Sequence, residues 1–399
     1  MNRENRQTWT FQALDTLFFR ESRPMESIGN AELTSLFPPS ARTMVGAIRS
    51  AIGEHNNIDW REYRDLKEKH PLAEIIGYGD DNLGCLSFEG VWLQKGNERL
   101  YPAPLNLMQQ SEEKDGQLFF IEIGNDFTCT DIGNVRLPEL KKEQTGSKVL
   151  ENIWLTADEF ASILSGGMPA PQKWFTLKPV SIHSRTTNYL LVEEARVGIA
   201  RDNVRRNVEK SRLYQTRHVR LTDDVSLCMD VYGVTEQYIS AQNNLTRLGG
   251  EARMASIEIT SVPDFIRPPS LVVDAEGVVP FVLYLLTPLL ISKKDDLTWQ
   301  PLPGFTKYVE DGQTVWKGVL GGIDLKLYTA ITGKAHREGG WDMPAHKPKP
   351  VRSYIPAGSV FYCTCSGKKP QDVVDALHGR QIGEEQKLGR GKIVVGLWK

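Results

Sequence analysis

The chain is short of cysteine, of net charge and of any long apolar run, and each shortage excludes something. Its five cysteines (Cys85, Cys129, Cys228, Cys363 and Cys365) are an odd number without framework spacing. A disulfide scaffold is excluded, and a reduced, cytoplasmic protein is expected. Lys and Arg together number 48 against 50 Asp and Glu, a formal net charge of -2. The molecule as a whole is no polycation, so a nucleic-acid surface would have to come from uneven placement of charge. The opening residues, MNRENRQTWT, carry no apolar segment of signal-peptide type. The most apolar stretch, VVPFVLYLLTPLLIS, contains Pro280 and Pro288 and is too short to span a bilayer. It reads as a buried strand, and no membrane association is expected. Catalytic signatures are missing too: there is no H-E-x-x-H, no nucleophile elbow, no Walker A loop and no G-x-G-x-x-G before a helix.

What is present is a strand-rich chain with a few short helices. WTFQAL alternates and opens the chain as a strand. In SLFPPSARTMVGAIRSAIGEH the prolines stop any preceding element and Ser40 or Thr43 can cap a helix. Met44, Val45, Ile48, Ala51 and Ile52 then fall on one face, and Gly53 suits the helix end. CLSFEGVWL and LFFIEI read as paired strands. LTADEFASIL is a short helix whose Thr156 stands three residues before Glu159. The Gly/Pro-rich SGGMPAPQKW marks a boundary near residue 170, which divides the chain into domains 1–170 and 171–399. The second part holds ARVGIA, SRLYQTRHVRL, VSLCMDVYG, ARMASIEI, VPFVLYLL, LKLYTAI, SVFYCTC and KIVVGLW as strands, with QDVVDALHG as a helix between the last two. The fold class expected is α+β with antiparallel sheets.

Three stretches concentrate cations. RVGIARDNVRRNVEKSRLYQTRHVR carries Arg196, Arg201, Arg205, Arg206, Lys210, Arg212, Arg217 and Arg220, with Tyr214 and His218 interleaved and only Asp202 and Glu209 opposing. Guanidinium forks bind phosphates and aromatic faces stack on bases, a combination suited to single-stranded RNA. On charge alone a solvated hairpin explains the run equally well. TGKAHREGGWDMPAHKPKPVRSY is a long basic stretch that reads as a loop. Its His336, Asp342 and His346 match no recognised metal-ligand spacing, and no metal is expected. The chain ends in IGEEQKLGRGKIVVGLWK, where Gly383, Gly389 and Gly391 sit among Lys387, Arg390 and Lys392 directly before a strand. Glycines let backbone amides approach an anion, but a plain turn explains the stretch about as well. His183 and Tyr189 could in principle serve acid/base cleavage of RNA, and a surface or core role is as compatible with them. Cys363 and Cys365 fall on one face of a strand and read as core thiols.

A glycine-rich loop of the form G-x-x-x-x-x-G-x-G before a final strand resembles that of the RAMP proteins of CRISPR systems. DTLFFRESRPM followed by LFPPSARTMVGAIRSAI is similar to the N-terminal signature of the third-subunit family of the Cmr (type III-B) effector complex. RLYPAPLNL, the basic hairpin, LGGEARMASIEI and GGWDMPAHKPKPVRSYIPAGSVFYC follow in that family's order, so the resemblance covers nearly the whole chain.

The resemblance implies two ferredoxin-like (RRM-like) domains with inserted loops, and a non-catalytic, cofactor-free subunit. It implies binding of the 5′ handle of the CRISPR RNA, docking on the large polymerase-like subunit, and contact with neighbouring RAMP backbone subunits. The RNA-binding positions expected are Ser40, Arg42 and Thr43 at a helix N-terminus. To these are added Arg201, Arg205 and Arg206 on the hairpin, Arg253 after a Gly-Gly pair, and Lys387, Gly389, Arg390, Gly391 and Lys392 in the terminal loop. The alternative is a metal-independent RAMP endoribonuclease that processes CRISPR RNA.

Overall fold

In the computed structural model of the chain, the described residues are 6–21, 32–79, 81–110, 116–170, 173–177, 188–202, 207–240, 244–292, 300–342 and 347–398. The fold is α+β, its sheets mostly antiparallel and its helices few. Two compact units gather three chain segments each and so do not follow chain order. One holds residues 1–97, 177–263 and 337–352, the other 98–176, 264–336 and 353–399.

The first unit is built on the opening strand, Arg6–Ala13. It lies between Val225–Tyr232 and Met254–Ser261, both antiparallel to it. Ser87–Lys95 extends the sheet beyond Val225–Tyr232, and Asn244–Arg247 extends it beyond Met254–Ser261. Because the opening strand is central, its polar threonines are buried with its aromatics, and Thr8 Oγ1 donates to Asp230 Oδ1 at 2.6 Å. The Ala41–His55 helix buries Met44, Val45, Ile48, Ala51 and Ile52. Thr246 Oγ1 donates to the helix carbonyl of Ala47 at 3.4 Å, tying the helix to the edge strand. This helix runs two residues past Gly53 to end at an Asn56 cap. At Gly53 a Cβ would lie 2.7 Å from the ring of Trp60, so the glycine leaves room for that indole as placed.

The basic run forms a hairpin, Leu191–Asp202 paired antiparallel with Asn207–Leu221. Glu32–Leu33 adds a short parallel strand at Gln215 and Thr216. The stretch read as one long loop contains short strands instead, Trp341–Asp342 pairing with Lys347–Pro348.

The second unit holds an antiparallel six-stranded sheet in the order Thr306–Glu310, Gln313–Leu320, Ile323–Ile331, Val360–Ser366, Val278–Leu285, Ile393–Leu397. Val278–Leu285 lies inside the sheet, between Val360–Ser366 and Ile393–Leu397, and its side chains are buried along most of its length, in keeping with its apolar sequence. Pro280 pairs only with Thr364, and the ladder to the final strand starts one residue later, at Phe281. Its missing N–H therefore leaves no gap in the sheet. Phe281, Leu283, Leu327, Phe361, Cys363 and Val395 form the core, covered by Val373, Val374 and Leu377 of the Pro370–Leu377 helix. Cys363 and Cys365 are both buried there as core thiols. Thr156 caps the Ala157–Leu164 helix by accepting from the Glu159 amide at 3.4 Å. LFFIEI does not pair with CLSFEGVWL. Leu118–Phe120 pairs with Leu107–Gln109, and Glu122–Thr130 forms its own hairpin with Gly133–Glu139.

Candidate nucleic-acid interface

Ser40 occupies the N-cap of the Ala41–His55 helix. Its Oγ accepts from the Thr43 amide at 3.2 Å and lies 3.0 Å from Thr43 Oγ1. Both hydroxyls are thus engaged in holding the first turn, where the amides and the helix dipole favour an anion. Arg42 stands beside this turn, 3.8 Å from the exposed carboxylate of Asp81.

A second cluster lies at the base of the hairpin. Side chains alternate across a strand, so Glu194 and Arg196 share a face with His218 and Arg220 of the partner strand. That face meets Asp15. Arg196 Nη2 and Arg253 Nη1 each lie 3.2 Å from Asp15 Oδ2, and Arg220 Nη2 lies 2.8 Å from Oδ1. Arg196 also reaches Glu194 at 3.3 Å, and Arg220 Nε donates to the same carboxylate. Hydrogen bonds from Arg220, reinforced by Arg196, hold the Asp15 and Glu194 carboxyls below their usual range. Arg217, on the opposite face, pairs with Glu32 and with Glu193 at 3.7 Å.

The Gly-Gly turn places the last members of this cluster. The Gly250 amide donates to the Phe18 carbonyl at 2.7 Å, and a Cβ on Gly249 would come within 2.5 Å of that oxygen. Glu251 and Ala252 follow with left-handed φ of 55° and 52°. Glu251 is thereby brought 3.4 Å from His218 Nε2, and Arg253 onto Asp15. His218 is fully buried, stacked on Phe18 with centroids 5.1 Å apart, and its Nδ1 lies 3.1 Å from Thr16 Oγ1. Burial, then the charges of Arg253 and Arg196, push its imidazole below the ordinary range. Three guanidiniums (Arg196, Arg220, Arg253) thus face three carboxylates (Asp15, Glu194, Glu251), and the hairpin base is charge-balanced.

The terminal loop behaves differently from its sequence pattern. Lys387 is exposed, whereas Arg390 is 3% and Lys392 5% exposed. The Arg390 guanidinium stacks over Tyr354 at 4.6 Å, and Tyr354 Oη donates to the buried Glu385 carboxylate at 2.9 Å. Lys392 Nζ lies 5.0 Å from the Phe265 ring centroid. The glycine amides turn inward: Gly389 donates to Gln386 and Gly391 to Pro288, at 2.9 and 3.1 Å. A Cβ on Gly391, whose φ is 68°, would sit 2.0 Å from the Ile382 carbonyl oxygen. Gly389, Arg390, Gly391 and Lys392 therefore shape the loop, and Lys387 is the cation it turns to solvent.

Of the remaining expected positions, Arg201 belongs to the hairpin strand by its backbone, while Arg205, Arg206 and His183 lie outside the described residues. Sequence reasoning missed Asp15, Glu194 and Glu251 altogether. All three arginines on Asp15 are remote from it in the chain, as are Arg220 from Glu194 and His218 from Glu251, and only the fold assembles these pairs.

Among the described residues, no helix is long and apolar enough to cross a membrane. No curated protein matched the chain. Among solved structures, it is similar to a chain in the cryo-EM structure of the type III-B Cmr-beta bound to cognate target RNA and AMPPnP. That match has 14% identity and a TM-score of 0.42, covering 93% of this chain and 88% of the other. It is also similar to a chain in the crystal structure of the Csm3-Csm4 subcomplex in the type III-A CRISPR-Cas interference complex, at 12% identity and a TM-score of 0.39, covering 98% and 99%. The family model described as CRISPR-associated protein (Cas_Cmr3) matches residues 9–398. With that match running from the opening strand through the closing one, the chain belongs to the Cmr3 family of CRISPR-associated proteins, of type III-B.

Proposed function

We propose that the chain is a non-catalytic subunit of a type III-B CRISPR ribonucleoprotein that binds the 5′ handle of the CRISPR RNA and docks on the large polymerase-like subunit. The observation that carries this reading is the family match over residues 9–398, which takes in the Ser40 helix, the basic hairpin and the glycine loop together. On this reading the two domains are ferredoxin-like, divided near residue 170, and neighbouring RAMP backbone subunits complete the assembly.

Ser40, Arg42 and Thr43 offer a helix N-terminus with a flanking guanidinium to a phosphate. Arg201, in the hairpin strand, supplies a cation, as do Arg205 and Arg206, which follow it in the sequence, and Lys387 supplies one at the terminal loop. Arg253 reaches RNA by exchanging Asp15 for a phosphate oxygen. Arg390, Lys392, Gly389 and Gly391 support the site by fixing the loop.

The test is a titration of the protein with labelled CRISPR RNA, with and without its repeat-derived handle, in EDTA and at two salt concentrations. Intact RNA that binds more tightly with the handle, and loses affinity as salt rises, is the expected result. RNA cut in EDTA would instead assign the chain to the RAMP endoribonucleases.

A further inference from the structure

The second unit contains a cavity of about 630 Å³ that the RNA-binding positions above do not use. Asn106, Phe120, Arg136, Tyr284, Tyr362 and Trp398 are among its lining residues. Part of its wall is aromatic: Tyr362 and Trp398 meet edge to face with centroids 5.3 Å apart. Tyr284, buried, also lines it and packs edge to face with Phe160, centroids 6.1 Å apart.

The polar groups in this cavity are incompletely matched. Asn106 is only 3% exposed, and its Nδ2 donates to the Tyr362 hydroxyl at 3.0 Å. Its Oδ1 has no hydrogen-bond partner among the described residues. An amide held at one end and unmatched at the other is costly in an interior where nearly all buried polar atoms are paired. Arg136 repeats the pattern. Its guanidinium lies over Phe127 at 5.4 Å, and its buried Nε has no acceptor among the described residues. The acidic lining residue Glu122 is already neutralised, with Lys141 Nζ 2.6 Å from its carboxylate.

A ligand that matches these groups is flat enough to lie among aromatic rings. It carries a polar edge for the Asn106 amide and an acceptor for Arg136. A nucleobase has that description, since every base combines a π-face with donors and acceptors on its rim. Its phosphate is the natural acceptor for a guanidinium. The volume falls within the range of pockets that enclose a ligand of nucleotide size. We propose that this cavity is a nucleotide site, holding a single base against Tyr362 and Trp398 with its edge on Asn106 and its phosphate on Arg136. The proposal does not rest on handle recognition, because it concerns the second unit alone and is tested with free mononucleotides.

Calorimetric titration of the full chain with AMP, GMP, CMP and UMP, and with adenosine as the phosphate-free control, decides it. At least one nucleotide is expected to bind saturably, more tightly than its nucleoside. Asn106→Leu is expected to weaken it about tenfold, as for loss of one buried hydrogen bond. Because Asn106 also supports Tyr362, the Trp398→Leu and Arg136→Gln variants give independent readings, and each should weaken binding while leaving the melting temperature near that of the parent. No binding of any mononucleotide at millimolar concentration would overturn the proposal. So would affinity unchanged in Trp398→Leu and Arg136→Gln. Binding of N-acetyltryptophanamide in place of the nucleotides would overturn it in favour of a protein side chain as the occupant. Handle-bearing RNA that binds without competing with the mononucleotide would separate this site from the handle site and leave both readings standing.

Discussion

The guanidinium of Arg390 stacks 4.6 Å above the ring of Tyr354, whose hydroxyl donates to Glu385, and all three side chains are buried. A residue that looks in the sequence like a phosphate ligand thus lies in the interior against an aromatic ring. Arg390→Ala removes the stack. A loss of about 1–2 kcal/mol in unfolding free energy is expected, read from urea denaturation. Lys387→Ala, a few residues away and exposed, should leave that value within about 0.5 kcal/mol while lowering the salt slope of RNA binding by about one. RNA affinity lost only in a folded Arg390 variant would reverse the assignment.

Gly391 and Gly304 both adopt left-handed φ, 68° and 76°, but only Gly391 is enclosed. A Cβ at Gly391 would meet the Ile382 carbonyl oxygen at 2.0 Å, and one at Gly304 would meet nothing within 4 Å. Gly391→Ala should cost about 3 kcal/mol or more, from strain plus forced displacement of backbone. Gly304→Ala should cost about 1 kcal/mol, from backbone strain alone. Equal urea midpoints for the two variants would contradict this packing of the terminal loop.

Asp15 holds Arg196, Arg220 and Arg253 at one point. If these arginines face RNA, Asp15 competes with phosphate for them. Asp15→Asn is then expected to tighten RNA binding several-fold at low salt and to steepen its salt dependence. Its carboxyl titrates below the usual range in the folded state, so its contribution to stability is present above about pH 4 and fades as pH falls below it. The parent should therefore lose stability below that pH more steeply than Asp15→Asn. Weaker RNA binding by the variant would show that the cluster is purely structural.

His218 and His378 are both driven below the ordinary imidazole range, chiefly by burial. His378 holds its neutral form at both nitrogens: Nε2 lies 2.8 Å from the Ile266 carbonyl, and Nδ1 accepts from the Val395 amide at 3.3 Å. Groups with a depressed folded-state pKa contribute stability that is present above the unfolded value, about 6.5, and lost as pH falls toward the folded one. The urea midpoint should accordingly drop between about pH 6.5 and 5, and histidine C2 proton shifts should show two imidazoles titrating late. A midpoint flat across that window would contradict the burial of both rings.

Much of the fold was legible where the signal is local. The Thr156 cap announces itself by its three-residue spacing to Glu159, the first helix by the prolines before it with Ser40 or Thr43 as its cap, of which the fold uses Ser40, and the Val278–Leu285 strand by its apolar run. The basic hairpin was visible as two strand-like runs around a polar turn. What stayed hidden depends on partners distant in the chain. Asp15 gives no sign that three arginines will surround it, and nothing beside Arg390 or Lys392 indicates Tyr354 or Phe265 as the rings that cover them. Strand pairing was misread for LFFIEI because a run of apolar residues specifies a strand but not its neighbour. That each unit gathers three chain segments was invisible for the same reason, since composition carries no record of which distant segments pack together.

The central claim is that this Cmr3-family chain holds CRISPR RNA by its handle without cutting it. Anisotropy titration of labelled RNA with and without the handle, in EDTA at low and high salt, followed by a denaturing gel of the same samples, tests it most directly. The account predicts intact RNA, tighter binding with the handle, and affinity that falls as salt rises. Cleaved RNA, or equal affinity for both RNAs at both salts, would contradict it.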